Sequence, residues 1–406
     1  MKLLQISADC NTGSVGRIME GIGTAVINRG MESYIAYGRD YRPSNSQVLK
    51  IGGVLNTYTH VLRARIFDSD GLGSRSATRK FLRQVELINP DIIHIHCIHG
   101  YYLNFPLLFD YIKDKNKPLV WTFHDCWPFT GHCTFPSYHN CYGYKTGCTD
   151  CAFKKDYPKS YLFSRSRENF ELKKSIWGVW NNIKIITVSN WLKDIVMESF
   201  LSSKGAETIY NGVNLDIFKP YSTNSEIEIK NKYSIPLQKD FIIGVAYPWS
   251  ERKGLNDYLK LRKVLDDKVL IVLVGLNSKQ IDELPKGIIG IPRISEPRDL
   301  AQLYSSASVV MNLSTAETFG MTTAEGFACG TPCVGYNCTA TPELITSNTG
   351  FIINEGDITG INNAVNTIIN KSKSHYSIHC RERAKTLFDK NKCFNQYVDL
   401  YIDLAK

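Results

Sequence analysis

The sequence predicts an α/β protein with two Rossmann-like domains that face a cleft, each built on a doubly wound parallel sheet. The first observation is length, because 406 residues exceed what one core ordinarily supports and fit two domains of about 200 residues. The second is that short apolar runs, mostly β-branched, alternate with helix-like segments. The third is that both halves show this alternation, which indicates two parallel sheets covered by helices.

The N-terminal half contains five runs of the buried-strand type. They are Lys2–Ser7, Ser33–Tyr37, Asp91–His96, Leu119–Phe123 and Lys184–Ser189. Helix-like segments separate them, among them Gly16–Arg29, Ser76–Leu87 and Trp191–Phe200. We expect the first domain to cover residues 1–215, with a cysteine-rich insertion at about 126–151.

The C-terminal half repeats the pattern. Its predicted strands are Phe241–Ala246, Val269–Val274, Ile288–Ile291, Val309–Leu313 and Pro332–Gly335. Polar residues at 216–228 form the expected linker, and 229–385 form the expected second domain. Residues 386–406 are expected to end the chain as a closing helix, because apolar side chains recur there at helical spacing.

The composition is that of a soluble globular protein, with 43% hydrophobic and 21% charged residues. No run approaches the roughly 18 to 20 apolar residues that span a bilayer. The chain opens on a strand-like stretch and lacks the pattern of a signal peptide. We therefore expect a cytoplasmic protein.

The net charge of +9 lies almost wholly in the first half. Residues 1–215 hold 26 basic against 18 acidic residues, and the remainder holds 22 against 21. Six of the basic residues cluster: Arg63, Arg65, Arg75, Arg79, Lys80 and Arg83. They form either a solvated helix face or a surface for anionic lipid headgroups or a phosphate-bearing acceptor at the inner face of the cell membrane. Nucleic acid is not an expected partner, because no binding motif accompanies the charge.

Two glutamates separated by seven residues are the most informative pair in the chain. Glu317 and Glu325 lie in Ser314–Pro332, where a turn of small residues precedes a helix-like stretch. We expect both acids on one helix face, since this spacing spans about two turns. The N–H groups at such a helix start suit a phosphate. The spacing alone equally describes a surface helix with two solvated acids, but the flanking Glu-Thr-Phe-Gly and Gly-Thr-Pro are more specific.

Two further loops have the character of phosphate sites. Gly13–Arg17, which includes Gly16, follows the first predicted strand and opens a helix, although a tight connection would look the same. Ser250–Gly254 follows the first strand of the second domain and carries Arg252 and Lys253. Charge-assisted contacts from these cations suit a diphosphate, and a solvated cation pair is the alternative.

Histidines gather at the ends of two predicted strands. His94, His96 and His99 lie at the end of one strand, and His124 with Asp125 lies at the end of the next. Ligands bind at the carboxyl ends of the strands in parallel sheets. Each histidine could equally be a buried structural residue.

Five of the twelve cysteines crowd into residues 126–151. Cys148 and Cys151 form a Cys-x-x-Cys pair, and Cys133 and Cys141 complete four thiolates suited to a structural zinc ion. Free thiols are the alternative, and a disulfide is disfavoured in a reducing compartment.

Taken together, these motifs resemble the retaining, nucleotide-sugar-dependent glycosyltransferases of the GT-B fold, family 4 (glycosyl transferases group 1). The residues that carry the resemblance are Glu317–Gly320, Gly330–Pro332, Asn211–Pro220 and Lys253-Gly254. The insertion, with Trp127–Gly131, is similar to that of enzymes from bacterial exopolysaccharide and capsule clusters of the colanic-acid type. The arginine that the family usually holds after the first strand of the second domain is absent, so Arg252 is its candidate replacement.

The resemblance implies a closing helix that crosses back to the N-terminal domain, and it implies roles for individual residues. Glu317 would hold donor-sugar hydroxyls, His124 would orient the sugar, and Lys253 with Arg252 would stabilise the departing diphosphate. Glu325 would bind the ribose. The remaining donor-binding positions are Gly16, Arg293, Ile294, Phe319, Gly320 and Met321.

The activity that follows from the resemblance is a retaining hexosyltransferase without a catalytic metal. It would move a sugar from a UDP- or GDP-sugar to a glycan or a polyprenyl-diphosphate-linked acceptor in bacterial surface polysaccharide biosynthesis. An epimerase or hydrolase of the same fold is one rival. A catalytically silent nucleotide-sugar-binding or zinc-scaffold subunit of a polysaccharide assembly is another, which the intact Glu317, Glu325 and Lys253 disfavour.

Overall fold

The computed structural model describes all 406 residues, which divide into two compact units. The first unit comprises Met1–Tyr210 with Cys393–Lys406, and the second comprises Asn211–Lys392. The N-terminal segment of the first unit thus ends at residue 210, whereas 215 was expected. Residues 223–228 of the expected linker are helical and lie inside the second unit. The return of the closing helix to the first unit is confirmed.

The first unit is an α/β unit built on a seven-stranded parallel sheet with the order β3-β2-β1-β4-β5-β6-β7. Its strands are β1 (Lys2–Ser7), β2 (Glu32–Tyr37), β3 (Gln47–Lys50), β4 (Ile92–Ile95), β5 (Leu119–Phe123), β6 (Ile183–Thr187) and β7 (Glu207–Thr208). Its helices are α1 (Gly13–Asn28), α2 (Val54–Phe67), α3 (Arg75–Ile88), α4 (Phe105–Asp114), α5 (Gly143–Thr146), α6 (Ser166–Lys173) and α7 (Asn190–Met197).

The second unit is built on a six-stranded parallel sheet with the order β10-β9-β8-β11-β12-β13. Its strands are β8 (Asp240–Val245), β9 (Val269–Val274), β10 (Ile288–Ile291), β11 (Val309–Asn312), β12 (Cys333–Tyr336) and β13 (Gly350–Ile353). Its helices are α8 (Thr223–Lys232), α9 (Leu255–Arg262), α10 (Ser278–Asp282), α11 (Pro297–Ser306), α12 (Met321–Ala328), α13 (Thr341–Leu344), α14 (Ile358–Lys371) and α15 (Ser374–Leu387).

The central strands are mainly apolar, as strands covered on both faces must be. All six residues of β9, Val-Leu-Ile-Val-Leu-Val, are buried, and so are all five of β5. The sequence missed β3, β7 and β13, which are short strands on the outside of their sheets.

The last helix, α16 (Lys390–Leu404), packs its apolar face on the core of the first unit. The Thr122 hydroxyl donates to Tyr397 at 3.1 Å and therefore accepts from Nε2 of the buried His94 at 2.8 Å. Nδ1 of His94 is then the acceptor, and Tyr401 donates to it at 2.6 Å. No helix of the structure combines the length and apolarity of a membrane span.

Both sheets reverse their strand order once, between β1 and β4 and between β8 and β11. In open α/β sheets such a switch point leaves a crevice at the carboxyl ends of the strands, where ligands bind. A ligand-binding site is therefore expected in the loops that follow these four strands.

Candidate active site

An ion pair between Lys253 and Glu317 lies at the switch point of the second unit. Lys253 belongs to the turn Glu251–Lys253 after β8, and Glu317 to the loop after β11. The Lys253 ammonium donates a hydrogen bond to Oε1 of Glu317, and the two side chains are only 21% and 16% exposed. Burial by itself would raise the pKa of Glu317, but the charges of Lys253 and Arg252 outweigh it and lower that pKa. The carboxylate is therefore ionised at neutral pH.

Arg252 ties together the loops that carry this pair. Its Nη1 donates to the carbonyl of Ala316 at 2.6 Å, and its own carbonyl accepts from the N–H of Thr315 at 2.9 Å. The N–H of Glu317 in turn donates to the hydroxyl of Thr339 at 2.8 Å. The guanidinium of Arg252 thus lies beside Glu317 and fixes the loop on which it sits.

The expectation that Glu317 and Glu325 share a helix face is wrong. Helix α12 begins at Met321, so Glu317 lies in the loop before it and only Glu325 is helical. Gly320 is the cause, because its φ of +103° is not helical and it caps the helix instead of extending it. Glu325 lies near the buried Tyr304 hydroxyl, whose pKa is raised well above normal by burial and then by the Glu325 charge.

The other predicted donor positions of the second unit follow its strands. Gly320 and Met321 form the start of α12, and the side chain of Phe319 is buried at 2% exposure. Arg293 follows β10 and is exposed, with its guanidinium 4.5 Å from the centre of the Tyr247 ring. Ile294 is half-buried beside it.

A chain of side-chain amide and imidazole groups runs beneath the switch point of the first unit. Gln5 donates through Nε2 to the carbonyl of Met19 at 2.9 Å, so its Oε1 faces Nε2 of His96 at 3.2 Å. Nδ1 of His96 lies 3.0 Å from Nε2 of His124.

The protonation of this chain follows from its geometry. Burial lowers the pKa of His124 to about 4 and that of His96 well below normal, so both rings are neutral. Because Gln5 Oε1 only accepts, His96 carries its proton on Nε2 and accepts on Nδ1. His124 must then donate from Nε2, which leaves its Nδ1 as the acceptor nitrogen. His124 is thereby held in one tautomer at the carboxyl end of β5.

His99 and Asp125 form a second pair at the same edge, with His99 Nε2 2.8 Å from Asp125 Oδ2. Burial opposes the charged form of His99, but Asp125 and Tyr157 outweigh it and raise the pKa of His99 well above normal. The hydroxyl of Tyr157 lies 3.0 Å from Nδ1 of His99. The histidine is therefore charged at neutral pH, unlike its neighbours.

His99 and Tyr157 border a pocket of about 260 Å³ beside the switch point. Its wall includes Ser7, Asp9, Arg39, Asp40, His99 and Tyr157. Gly16 lies next to it in the first turn of α1, where a side chain would stand only 3.0 Å from the N–H nitrogen of Asn11. The pocket is polar on several sides and suits a hydroxylated ligand.

The structure brings Lys253, Arg252 and Glu317 together in the second unit and sets His124 near the strand ends of the first. The cysteines Cys133, Cys141, Cys148 and Cys151 are half-buried free thiols, as no disulfide joins any cysteine.

The sequence did not single out Gln5, Asp9, Arg39 or Tyr157. A polar residue within or just after β1 was a usable signal for the first two, whereas Tyr157 reaches the pocket through tertiary packing alone.

Models of two protein families match this chain. The model described as Glycosyltransferase Family 4 matches residues 15–217, which is half of the chain. The model described as Glycosyl transferases group 1 matches residues 225–386.

The chain is similar to enzymes of bacterial glycan and glycoside synthesis. It is 24% identical over 240 residues to the N-acetyl-alpha-D-glucosaminyl L-malate synthase of Bacillus anthracis, covering 57% of this chain and 62% of that protein. It is 28% identical over 170 residues to a putative colanic acid biosynthesis glycosyl transferase of Escherichia coli, covering 39% of this chain and 41% of that protein. The matched regions thus span about two fifths to three fifths of these relatives.

Solved structures share the fold over the full chain. The Anabaena protein HepE in complex with UDP-glucose superposes with a TM-score of 0.70 at 16% identity, covering 99% of this chain and all of that one. Two parallel-sheet Rossmann-like units are the hallmark of the GT-B fold, which these neighbours share. With this fold and a family model matched in each unit, the chain belongs to the glycosyltransferases of family 4, the glycosyl transferases group 1.

Proposed function

We propose that the protein is a retaining hexosyltransferase of bacterial surface polysaccharide biosynthesis. It would move a sugar from a UDP- or GDP-sugar to a glycan or polyprenyl-diphosphate-linked acceptor. The observation that carries the proposal is the Lys253–Glu317 pair, a cation and an ionised carboxylate held together at the switch point of the second sheet. A nucleotide sugar presents a diphosphate and sugar hydroxyls side by side, which match these two charges.

The pair supplies a simple account of donor binding. A diphosphate competes with Glu317 for the Lys253 ammonium, because phosphate oxygens make strong charge-assisted hydrogen bonds. Release from Lys253 then leaves the Glu317 carboxylate to accept hydrogen bonds from sugar hydroxyls. Arg252 adds positive charge beside both groups, and Glu325 would bind the ribose from α12.

Catalysis in this proposal is mainly electrostatic. The bond between the anomeric carbon and the diphosphate oxygen breaks, and Lys253 and Arg252 stabilise the charge that develops on that oxygen. The acceptor oxygen bonds to the anomeric carbon on the same face, which retains its configuration, and the acceptor proton passes to the departing phosphate. His124 stays a proposed sugar-orienting residue of the first unit, beside His96.

The relatives support the substrate class. Structures of HepE contain UDP-glucose, and the Escherichia coli relative is described as a colanic acid biosynthesis enzyme. The pocket of the first unit, with Asp9, Arg39 and the charged His99, is our proposed acceptor side. Tyr157, which follows the cysteine-rich insertion, contributes to its wall.

A cytoplasmic location with peripheral contact to the inner face of the membrane is part of the proposal. All six clustered basic residues of α2 and its neighbour α3 are exposed. Helix α2 also exposes apolar side chains, with Leu55, Tyr58 and Leu62 at 78%, 70% and 61%. Cations beside exposed apolar groups favour anionic lipid surfaces.

Thermal unfolding with a panel of UDP-, GDP-, ADP- and dTDP-sugars tests donor binding, since a ligand of the native state raises the midpoint. One nucleotide sugar should stabilise the protein, and its transfer or hydrolysis can then be timed. Lys253→Ala should lower turnover by about 100-fold or more, because it removes positive charge from the leaving group.

Lys286→Ala, which removes an exposed lysine from a turn of the same unit, is the matched control and should behave as wild type. Full turnover by Lys253→Ala would overturn the assignment of the pair. Binding of a nucleotide sugar without turnover in any acceptor extract would instead support the silent subunit.

A further inference from the structure

The insertion lacks the apolar core that would hold its shape. Between residues 131 and 165 the regular structure amounts to the turn Pro136–His139 and the four residues of α5. Apart from prolines, Tyr144 is the one buried apolar side chain in this stretch. Irregular segments of this length usually need a cross-link to be ordered. No disulfide provides one.

Four half-buried thiols converge within this segment. A methyl group built on Gly143 would lie 3.7 Å from the Cys141 sulfur and 3.5 Å from the Cys148 sulfur, so both border one small space. The thiols of Cys151, Cys148 and Cys141 lie near that of Cys133. No three of the sulfurs lie within 4.8 Å of each other, so shared ligation requires the loops to draw together.

Main-chain donors already point at two of these sulfurs. The N–H of Gly131 donates to Sγ of Cys148 at 3.2 Å. The N–H of Phe153 donates a hydrogen bond to the thiol of Cys151. N–H groups aimed at sulfur stabilise the thiolate, which is the form that binds a metal.

A buried cation lies beside the cluster. Lys173 of α6 is 1% exposed, and its ammonium donates to the carbonyls of Trp127 and Thr130 at 2.7 and 2.9 Å. The carboxylate of Asp70 and the thiol of Cys148 lie near this ammonium. A buried charge requires opposite charge nearby. Four thiolates around one Zn²⁺ carry a net negative charge and would add to that of Asp70.

A histidine next to Cys133 has an unused nitrogen. Nδ1 of the buried His132 lies 2.6 Å from Oδ1 of Asp68, and its Nε2 is buried without a hydrogen-bond partner. Carboxylates hold metal-binding histidines in this manner. The same carboxylate accepts from the N–H of Arg165, which connects the cluster to the start of α6.

We propose that Cys133, Cys141, Cys148 and Cys151 bind one structural zinc ion. The spacing of Cys148 and Cys151 is that of a zinc knuckle, and four sulfurs satisfy the tetrahedral preference of a closed structural site. The ion cross-links the insertion and places it against α6. Because Tyr157 lies in the same segment and contacts His99, the zinc ion also holds one wall of the first-unit pocket in place.

The test is the metal content of the full chain purified under reducing conditions without chelator. Elemental analysis should find about one zinc ion per chain. Replacement by Co²⁺ should give the intense sulfur-to-cobalt charge-transfer absorption and the tetrahedral d–d bands of four thiolates. A protein that carries no zinc, and shows no such absorption when Co²⁺ is added, would overturn the proposal even if no variant folds.

Variants identify the ligands. Cys148→Ser and Cys151→Ser should reduce the zinc content to background, whereas Cys338→Ser, a half-buried thiol of the second unit, should leave it unchanged. His132→Gln should keep the zinc and the cobalt spectrum of four sulfurs. A cobalt spectrum of three sulfurs in the wild type, lost in His132→Gln, would overturn the four-cysteine assignment.

Discussion

At the residue scale, neighbouring histidines of one sheet edge have opposite charge states. His96 and His124 are neutral because burial dominates, whereas His99 is charged because Asp125 lies 2.8 Å away. A nearby carboxylate outweighs desolvation only at such distances. The same edge of the sheet therefore presents a neutral imidazole, which can accept a hydrogen bond, and a charged imidazolium, which can only donate hydrogen bonds.

The tautomer of His124 should depend on Gln5, which is fully buried beneath it. Replacing Gln5 with Met removes the acceptor for His96 Nε2–H, so either nitrogen of His96 and His124 can carry the proton. We expect about 10-fold lower turnover, as for other lost orienting partners. Long-range ¹H–¹⁵N spectra of histidine-labelled protein should show mixed tautomers. A single unchanged His124 tautomer in Gln5→Met would show that the hydrogen-bonded chain from Gln5 does not set it.

The pair of His99 and Asp125 should make stability depend on pH. The folded pKa of His99 lies above its unfolded value of about 6.5, so its contribution is complete below that pH and is lost as pH rises through the folded pKa. The folded pKa of Asp125 is lowered, so its contribution is complete above about 3.9 and is lost as pH falls through the folded pKa.

Urea denaturation of wild type and His99→Gln measures this window. The difference in unfolding free energy should be greatest between about pH 4 and 6.5 and should shrink in alkaline buffer. An equal difference at all pH values would show that the pair contributes through packing instead of charge.

At the scale of elements, the loop after β8 of the second unit depends on close packing. Gly254 starts α9 with φ +74°, and a methyl group there would stand 2.2 Å from the carbonyl oxygen of Leu313. Only glycine satisfies both conditions. The loops after β8 and β11, which carry Lys253 and Glu317, can therefore lie side by side.

Gly254→Ala should destabilise the protein far more than Gly356→Ala. Gly356 has φ +77° but no atom near its missing side chain, so its substitution isolates the backbone strain, about 1 kcal/mol. Gly254→Ala adds the clash with Leu313 and should exceed about 3 kcal/mol in urea denaturation. Equal values for the two variants would mean that the loop relaxes without strain.

Helix α2 should provide the apolar part of the proposed membrane contact. The double variant Leu55→Gln with Leu62→Gln should bind anionic phosphatidylglycerol vesicles with an affinity lower by about 10-fold or more, as measured by co-sedimentation. The reason is that it removes two apolar side chains from contact with the lipid. Leu237→Gln, an exposed leucine of the second unit, is the control. Binding should also fall as salt rises. No sedimentation of the wild type at low salt would remove membrane contact from the proposal.

At the scale of the whole molecule, the end of the chain completes the first unit and not the second, to which its preceding residues belong. Tyr397 and Tyr401 of α16 are fully buried against the first sheet. The stability of the first unit therefore depends on residues that follow the entire second unit in sequence.

Tyr401→Phe should expose this dependence. It leaves Nδ1 of buried His94 without its donor and should cost about 1–3 kcal/mol. Hydrogen exchange measured by mass spectrometry should become faster in β1, β4 and β5 and stay unchanged in β8 to β13. Tyr142→Phe, at an exposed position of the first unit, serves as the control. Uniformly faster exchange in both units would contradict a local role.

The sequence by itself determined the fold class, most central strands, the closing helix and the loops that hold Lys253 and His124. It did so because buried parallel strands require continuous apolar runs and because glycine and charged residues mark the loops after them. Only the tertiary structure decided how the residues are paired. Periodicity and spacing do not relate segments that are far apart in sequence. Such segments form the Lys253–Glu317 contact and the chain of Gln5, His96 and His124, and they place Tyr157 beside His99.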